Sequence, residues 1–307
     1  MKQQTESSHT TSITLSGLEV AALHKKELRQ RAARLQQHGV YPKLGILLVG
    51  DDPASRTYTR GKQRDCAEVG IEADLINLPA TASEDQIAAA ITALNQRADI
   101  TAFIVQLPLP DGINEQRMLE CIDPSKDADG LHPTNLGRLV LGLDPTEAID
   151  APLPCTPLGI VELLTHYHID LPGKRAVVIG RGITVGRPLS LLLSRRGIDT
   201  TVIQVHSKTP DIADEIQRAD IVIAALGSPH FVQPEWIKPG AAVLDVGVTR
   251  TGTTTSTKTI LTGDVHPEVS HIAGWLSPNP HGVGPMTRVM LVTNVIATAE
   301  RQLALIS

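Results

Sequence analysis

The 307-residue chain, with 41% hydrophobic and 20% charged residues, has room for two α/β domains of roughly 150 residues each. Its net charge of −5 and scattered basic residues give no reason to expect nucleic acid, and no apolar run approaches the roughly 20 residues of a membrane span. Aromatic residues make up only 2%, so the cores must be packed with Leu, Ile, Val and Ala, and each of the three tyrosines stands out.

The chain opens on MKQQTESSHTTS, a polar stretch with no apolar core, which reads as a short disordered tail and not a secretory signal. Leu18 to His38 carries apolar residues at helical spacing and stops at Gly39. A buried strand, Lys43 to Gly50, leads into a helix that starts around Pro53 and runs to Gly70. A strand from Ala73 to Leu78 and a helix from Ser83 to Arg97 follow, with Ser83 and Gln86 spaced for a capping box. The next strand, Ile100 to Gln106, ends in LPLP. From Pro108 to Pro157 prolines recur and the pattern loosens, which reads as a connection running over a cleft. Regular alternation returns with a helix over Gly159–His168 and a strand over Ala176–Ile179. Beyond these come a helix over Val185–Arg196, strands at Thr200–Val205, Asp220–Leu226 and Ala241–Val246, and a helix at Pro210–Arg218. A threonine-rich hairpin-like loop over Thr251–Lys258, a short strand over Leu261–Val265 and a helix from Met286 to Leu305 complete the chain. Alternation of this kind predicts two doubly wound units with mostly parallel sheets flanked by helices. Three cysteines, Cys66, Cys121 and Cys155, are odd in number and lack CxxC spacing, as reduced cytosolic thiols do.

The stretch RAVVIGRGITVGRP, Arg175 to Pro188, is strand, glycine turn, helix. Gly180, Gly182 and Gly186 stand as G-x-G-x-x-x-G, one residue longer than the common dinucleotide fingerprint. Small residues let the backbone approach a pyrophosphate, and the helix start favours its negative charge. Read alone, the same turn also suits an ordinary βαβ unit. Ligands of open α/β sheets bind beyond the carboxyl ends of the strands, where Gln106 lies. Tyr58 and Lys62 share one helical face at i, i+4. Each has an ordinary reading as well: a solvated lysine, a packing tyrosine, an Asx turn at Asp127 and Asp129, a small buried Cys155. At the end of the second strand of the later unit, Gln204-Val-His-Ser-Lys208 contains no acid to meet a ribose 2′-hydroxyl. With Ser207 as donor and Arg181 as a cation, that end favours NADP over NAD. The eleven histidines show no HExxH or paired-ligand spacing, so no metal is expected.

Several stretches resemble the bifunctional methylenetetrahydrofolate dehydrogenase/methenyltetrahydrofolate cyclohydrolase family. PASRTYTRGKQRDCAEVGI is similar to its PAS-x-x-Y-x-x-x-K segment, and VQLPLP, KDADGLHPTNLGRL, PCTPLGI, VIGRGITVGRP and HGVGPMT follow in the family's order from about Leu15 to the end. The resemblance implies Lys62 as the catalytic lysine, Gln106 as its hydrogen-bond partner, and Tyr58 against the p-aminobenzoyl ring. It implies Asp129 on the pterin donors, with Pro280 and Gly282 also at the substrate. Gly180, Arg181, Gly182, Val185, Gly186, Ser207 and Thr156 are implied contacts of NADP. It implies a folate-binding domain of 1–156 with 286–307, an NADP-binding Rossmann-type domain of 157–285, and an active-site cleft between them. It further implies tetrahydrofolate substrates, a place in one-carbon metabolism and purine biosynthesis, and a cytoplasmic homodimer. Three positions depart from the family: Gly182 for a serine, His281 for a glycine, and Asn279 for an apolar residue. A dehydrogenase with another substrate, such as a shikimate-dehydrogenase relative, is disfavoured by QLPLP and KDADG. A nucleotide-binding regulator that has lost catalysis is disfavoured by Lys62, Gln106 and Asp129 standing together.

Overall fold

Short apolar runs become strands and 3.6-period runs become helices along most of the chain. The computed structural model describes residues 12–142, 151–253 and 259–304, so all but the last residue of the expected tail, and most of the threonine-rich loop, lie outside the described residues. In chain order the elements are β1 (Ile13–Thr14), α1 (Gly17–Gln37), β2 (Lys43–Val49), α2 (Pro53–Val69), β3 (Glu72–Leu78), α3 (Glu84–Gln96), β4 (Ala102–Val105), α4 (Glu115–Glu120), α5 (Pro133–Leu141) and α6 (Cys155–His166). They continue as β5 (Arg175–Ile179), α7 (Gly186–Ser194), β6 (Thr201–Val205), α8 (Ile212–Gln217), β7 (Ile221–Ala224), β8 (Ala242–Asp245), β9 (Thr249–Thr253), β10 (Thr259–Thr262), β11 (Trp275–Ser277) and α9 (Val283–Ala304). Two compact units result: Leu18–Val161 with Pro285–Ser307, and Met1–Gly17 with Glu162–Gly284.

In the first unit β3, β2 and β4 form a parallel sheet in that order. The central strand reads KLGILLV because both of its faces are covered, and Leu44, Ile46 and Leu47 are fully buried. Leu47, Val105 and Phe103 pack with Ile87 and Ile91 of α3 and Met118 of α4 in one apolar cluster. Burial of each such side chain stabilises the fold by about 1.5–3 kcal/mol. Ser83 and Gln86 close the capping box on α3 in both directions, at 3.3 and 2.9 Å. The segment after β4 departs from the expected open connection, since it holds α4, a 3₁₀ turn at Pro124–Lys126, and α5. Two of its prolines start helical turns there instead of breaking them. Pro124 and Pro133 occupy first-turn positions, where a missing N–H costs nothing, behind caps supplied by Asp123 and His132.

In the second unit the sheet order is β1-β11-β8-β7-β5-β6, with every pair parallel. From β5 the chain winds outward to β6 and then returns to β7 on the other side. The β5/β7 boundary is therefore the switch point where doubly wound sheets open a crevice. Val177, Ile179, Val222, Ala224 and Val243 are fully buried at its centre. β1 and β11 escape a periodicity reading because each is two or three residues long. Ile13 and Thr14 belong by the expected boundaries to the first domain, yet they pair with Trp275 and Leu276 in this sheet. No helix of the described residues is long and apolar enough to cross a membrane.

Candidate active site

α2 is defined at both ends by its sequence. Asp52 accepts the Ser55 N–H at 2.7 Å behind Pro53, and Gly70 closes the helix at φ +88°. Between them Ser55, Thr59, Lys62, Asp65, Cys66 and Val69 form a buried stripe at three- and four-residue spacing. Lys62 therefore lies on the inner face, 7% exposed, and the solvated-lysine reading does not hold. Its Nζ donates to Gln106 Oε1 at 3.0 Å. Gln106 is fixed by the sheet, its own N–H donating to Leu47 O at 2.8 Å and its Nε2 to Leu107 O at 2.6 Å. Tyr58, one turn earlier, stands at the margin and is 37% exposed. Partial burial pushes its hydroxyl above the usual tyrosine range, and the Arg288 charge pulls the other way.

The two aspartates of KDADG have separate surroundings. Asp127 is buried and accepts N–H groups from Gly130 at 3.0 Å and His132 at 2.8 Å, and the Asn135 amide at 3.0 Å. Burial nevertheless raises its carboxyl above the usual range. It is the organiser of the loop, as an Asx turn would be. Asp129 is half-buried, and its backbone carbonyl accepts the Cys155 N–H at 3.3 Å. Gly130 is required between them and the following chain, since it sits at φ +70° and a Cβ would overlap the Leu153 carbonyl. Cys155 is buried, and desolvation, helped by the Asp129 charge, lifts its thiol well above the usual range. A thiol held neutral in this way is no nucleophile. Asn294 of α9 was not singled out from the sequence. Its amide donates to Ala128 O and Leu153 O, both at 2.9 Å, and so holds the aspartate loop. The available signal was one buried amide among Val292, Val295 and Ile296 on an apolar helix.

The second unit presents the glycine turn at the end of β5. Gly180 is at φ +118°, and a Cβ there would overlap Ala225 O, while a Cβ at Gly186 would overlap Gly180 O. Gly182 is different: it has no positive φ and no crowded Cβ position. No side chain caps α7 at Val185. Ile179 pairs with Val205, and Gly180 N–H donates to Val205 O at 2.9 Å. Arg181 and Ser207 each lie two residues beyond that pair, so they leave neighbouring strand ends, and both are exposed. His206 and Thr209 close the turn that carries Ser207, through His206 N–H to Thr209 Oγ1 at 3.0 Å and Thr209 N–H to His206 O at 2.8 Å. Gln204, where an acid would disfavour a phosphate, instead donates to Gly180 O at 3.2 Å. A close-approach glycine cradle beside an exposed cation and hydroxyl, with no acid, fits NADP. Thr156 lies in the other unit, sharing a 3.0 Å hydrogen bond with Thr287.

Pro280 and Gly282 also belong to this second unit. The Asn279–Pro280 peptide is cis, His281 sits at φ +90°, and a Cβ at Gly282 would overlap Ser277 Oγ. His281 thus holds a left-handed backbone conformation that favours glycine. Asn279 donates its amide to Gly247 O, which explains a polar residue there. A second network was also not expected from the sequence. Asp264 accepts the N–H groups of Leu226, Gly227 and Ser228 at 2.6, 3.1 and 2.7 Å, and Asp245 accepts those of Asp264 and Val265 at 2.8 and 3.3 Å. Both acids are buried beside glycines, Gly247 and Gly263, whose Cβ atoms would overlap them.

Two family models match: tetrahydrofolate dehydrogenase/cyclohydrolase, catalytic domain, over residues 15–129, and the NAD(P)-binding domain of the same name over residues 154–303. The bifunctional protein FolD of Tropheryma whipplei is 50% identical over 287 residues, which are 94% of this chain and 95% of that protein. The crystal structure of the bifunctional enzyme FolD from Campylobacter jejuni is similar at TM-score 0.87 and 39% identity, covering 95% of this chain and 99% of that one. The Trypanosoma brucei FolD structure, complexed with NADP cofactor and inhibitor, is similar at TM-score 0.89 and 37% identity, over 96% and 99% of the two chains.

Proposed function

Because the chain belongs to the tetrahydrofolate dehydrogenase/cyclohydrolase family, we propose that Lys62 and Gln106 carry the chemistry on its folate substrate and that Arg181 and Ser207 select its cofactor. The enzyme oxidises 5,10-methylenetetrahydrofolate with NADP to the 5,10-methenyl compound and hydrolyses that to 10-formyltetrahydrofolate. The observation that carries the assignment is a buried lysine whose hydrogen-bond partner, Gln106, is a neutral amide. Lys62 is thus anchored without a neutralising carboxylate, in place to take the proton released as water adds to the methenyl carbon and to return it to the ring nitrogen as the bond to that nitrogen breaks. Gln106 accepts one Nζ hydrogen and so fixes where Nζ stands. Tyr58 provides a ring face for the p-aminobenzoyl group, and Asp129 accepts adjacent pterin N–H groups as a carboxylate can.

NADP, when bound, supplies the hydride acceptor. The chain's part in that step is positioning: Gly180, Gly182, Val185 and Gly186 admit the pyrophosphate to the backbone, and Arg181 and Ser207 meet the 2′-phosphate. Thr156, Pro280 and Gly282 complete the assigned contacts. Folate handling is assigned to the unit of Leu18–Val161 with Pro285–Ser307, and NADP binding to the Rossmann-type unit. The reading includes a homodimer, checked by sedimentation, in the cytoplasm, where free Cys66, Cys121 and Cys155 stay reduced. The test is the absorbance of methenyltetrahydrofolate formed with NADP and, separately, with NAD. Product with NADP and much less with NAD is expected; an NAD preference would overturn the roles of Arg181 and Ser207.

A further inference from the structure

α2 carries a glycine in its interior, Gly61, between the two residues assigned above to the substrate. An interior helix glycine costs roughly 0.5–1 kcal/mol against alanine, so its presence calls for a reason. Here the space is taken by Arg288 of α9: a Cβ at Gly61 would stand 3.1 Å from Arg288 Cδ, 3.3 Å from Nε and 3.7 Å from Cζ. The guanidinium is thus laid across the helix face on which Tyr58 and Lys62 sit. It is held there from behind. Arg288 Nε donates at 2.5 Å to Oδ2 of Asp65, one turn beyond Lys62 and 1% exposed. Oδ1 of the same carboxylate is already taken by Lys25 Nζ at 2.5 Å, and Lys25 also reaches Glu68 at 2.7 Å.

This arrangement spends only the inner nitrogen of the arginine. The two terminal nitrogens have no hydrogen bond to the described residues, and the side chain keeps 18% exposure. Its charge is felt at the Tyr58 hydroxyl. Formal charges also leave a surplus. Lys25 and Arg288 balance Asp65 and Glu68, and Lys62, whose partner is the neutral Gln106, adds one positive charge to the same face. An arginine oriented through Nε, with its outer fork free in a field of net positive charge, is arranged for a planar anion.

We propose that Arg288 is a further substrate-binding residue, whose terminal nitrogens receive a carboxylate of the glutamyl tail of the folate. The inference rests on the tetrahydrofolate reading above. A tetrahydrofolate joins pterin, p-aminobenzoyl ring and glutamate in that order, so a residue beside the tyrosine that meets the ring is in place for the carboxylates that follow it. Asp65 and Gly61 then have positioning roles, the first fixing the guanidinium and the second making room for it.

The experiment compares Michaelis constants for 5,10-methylenetetrahydrofolate and for 5,10-methylenetetrahydropteroate, which lacks the glutamate, in the parent enzyme, Arg288→Met and Arg288→Lys. In the parent the glutamate-bearing substrate should be preferred. Arg288→Met should shrink that preference by about tenfold to a hundredfold, the value of a charge-assisted hydrogen bond. Arg288→Lys keeps a cation for Asp65 and so protects the fold, but loses the fork; it should shrink the preference by about three- to tenfold. Equal rises in the Michaelis constant for both substrates would overturn the proposal and leave Arg288 a support of α2. If Arg288→Met does not fold, an unchanged preference in Arg288→Lys overturns it. A parent enzyme that forms no methenyl product from either substrate would overturn the functional reading itself, and this proposal with it.

Discussion

Asp245 offers the sharpest test of the electrostatics. It ends β8, 7% exposed, and burial together with the neighbouring Asp264 charge pushes its pKa up to about 7, against 3.8 for a free aspartate, despite N–H groups donated by Asp264 and Val265. A carboxyl whose folded pKa exceeds its unfolded one is held protonated more firmly by the fold. Its contribution to stability is therefore complete below about 3.8 and is lost as pH rises through about 7. The interval between 3.8 and about 7, at 1.36 kcal/mol per pH unit, corresponds to about 4 kcal/mol. Asp245→Asn removes the titration and keeps a carbonyl acceptor. The stability of the parent relative to the variant should then fall by about 3 kcal/mol between about pH 4.5 and about pH 8, the rest having been lost below about pH 4.5. Urea unfolding followed by tryptophan fluorescence measures this in the right place, because the two tryptophans, Trp236 and Trp275, both lie in the unit that holds Asp245. Parallel pH profiles for parent and variant would refute the reasoning, and would mean that Asp245 titrates alike in folded and unfolded chains.

Lys62→Met should lower the cyclohydrolase rate by at least about a hundredfold while NADP binding persists, and a parental rate of methenyltetrahydrofolate hydrolysis would exclude Lys62 as the acid–base group. Arg181→Ala should raise the Michaelis constant for NADP by about tenfold to a hundredfold and hardly move that for NAD. An equal rise for both would show that Arg181 supports the glycine turn instead. Asp129→Ala should weaken folate binding more than NADP binding in calorimetry, whereas equal losses would mark a role in loop structure. His281→Gly should stabilise the second unit by about 0.5–1 kcal/mol, since it relieves a side chain at φ +90° at some cost in unfolded-chain entropy. A lower thermal midpoint for that variant would mean that the imidazole has contacts worth more than the strain.

Much of the site was legible because its signals are local. The Tyr58–Lys62 spacing, the Ser83 capping box, the glycines of the β5 turn and the missing acid after β6 each need only a short window of sequence, and in the structure Arg181 and Ser207 each lie two residues past one strand pair. The proline-rich segment after β4 misled for the converse reason. A proline looks the same in sequence whether it breaks a helix or starts one, and only the caps at Asp123 and His132 decide which. The two-residue β1 carries no period at all, so nothing before the fold reveals its pairing with β11.

The amino-acid sequence by itself determined the alternation of strand and helix, the glycine turn after β5 and the helical face that Tyr58 and Lys62 share, because propensity, capping and glycine conformation act within a few positions. Only the tertiary structure brought polar groups far apart in the chain into contact. Lys62 finds Gln106 from 44 residues away, Asp65 finds Arg288 from 223, and Asp245 finds the backbone of Asp264 from 19. Each of these contacts depends on burial and on chain segments brought together by packing, and burial strengthens each of them.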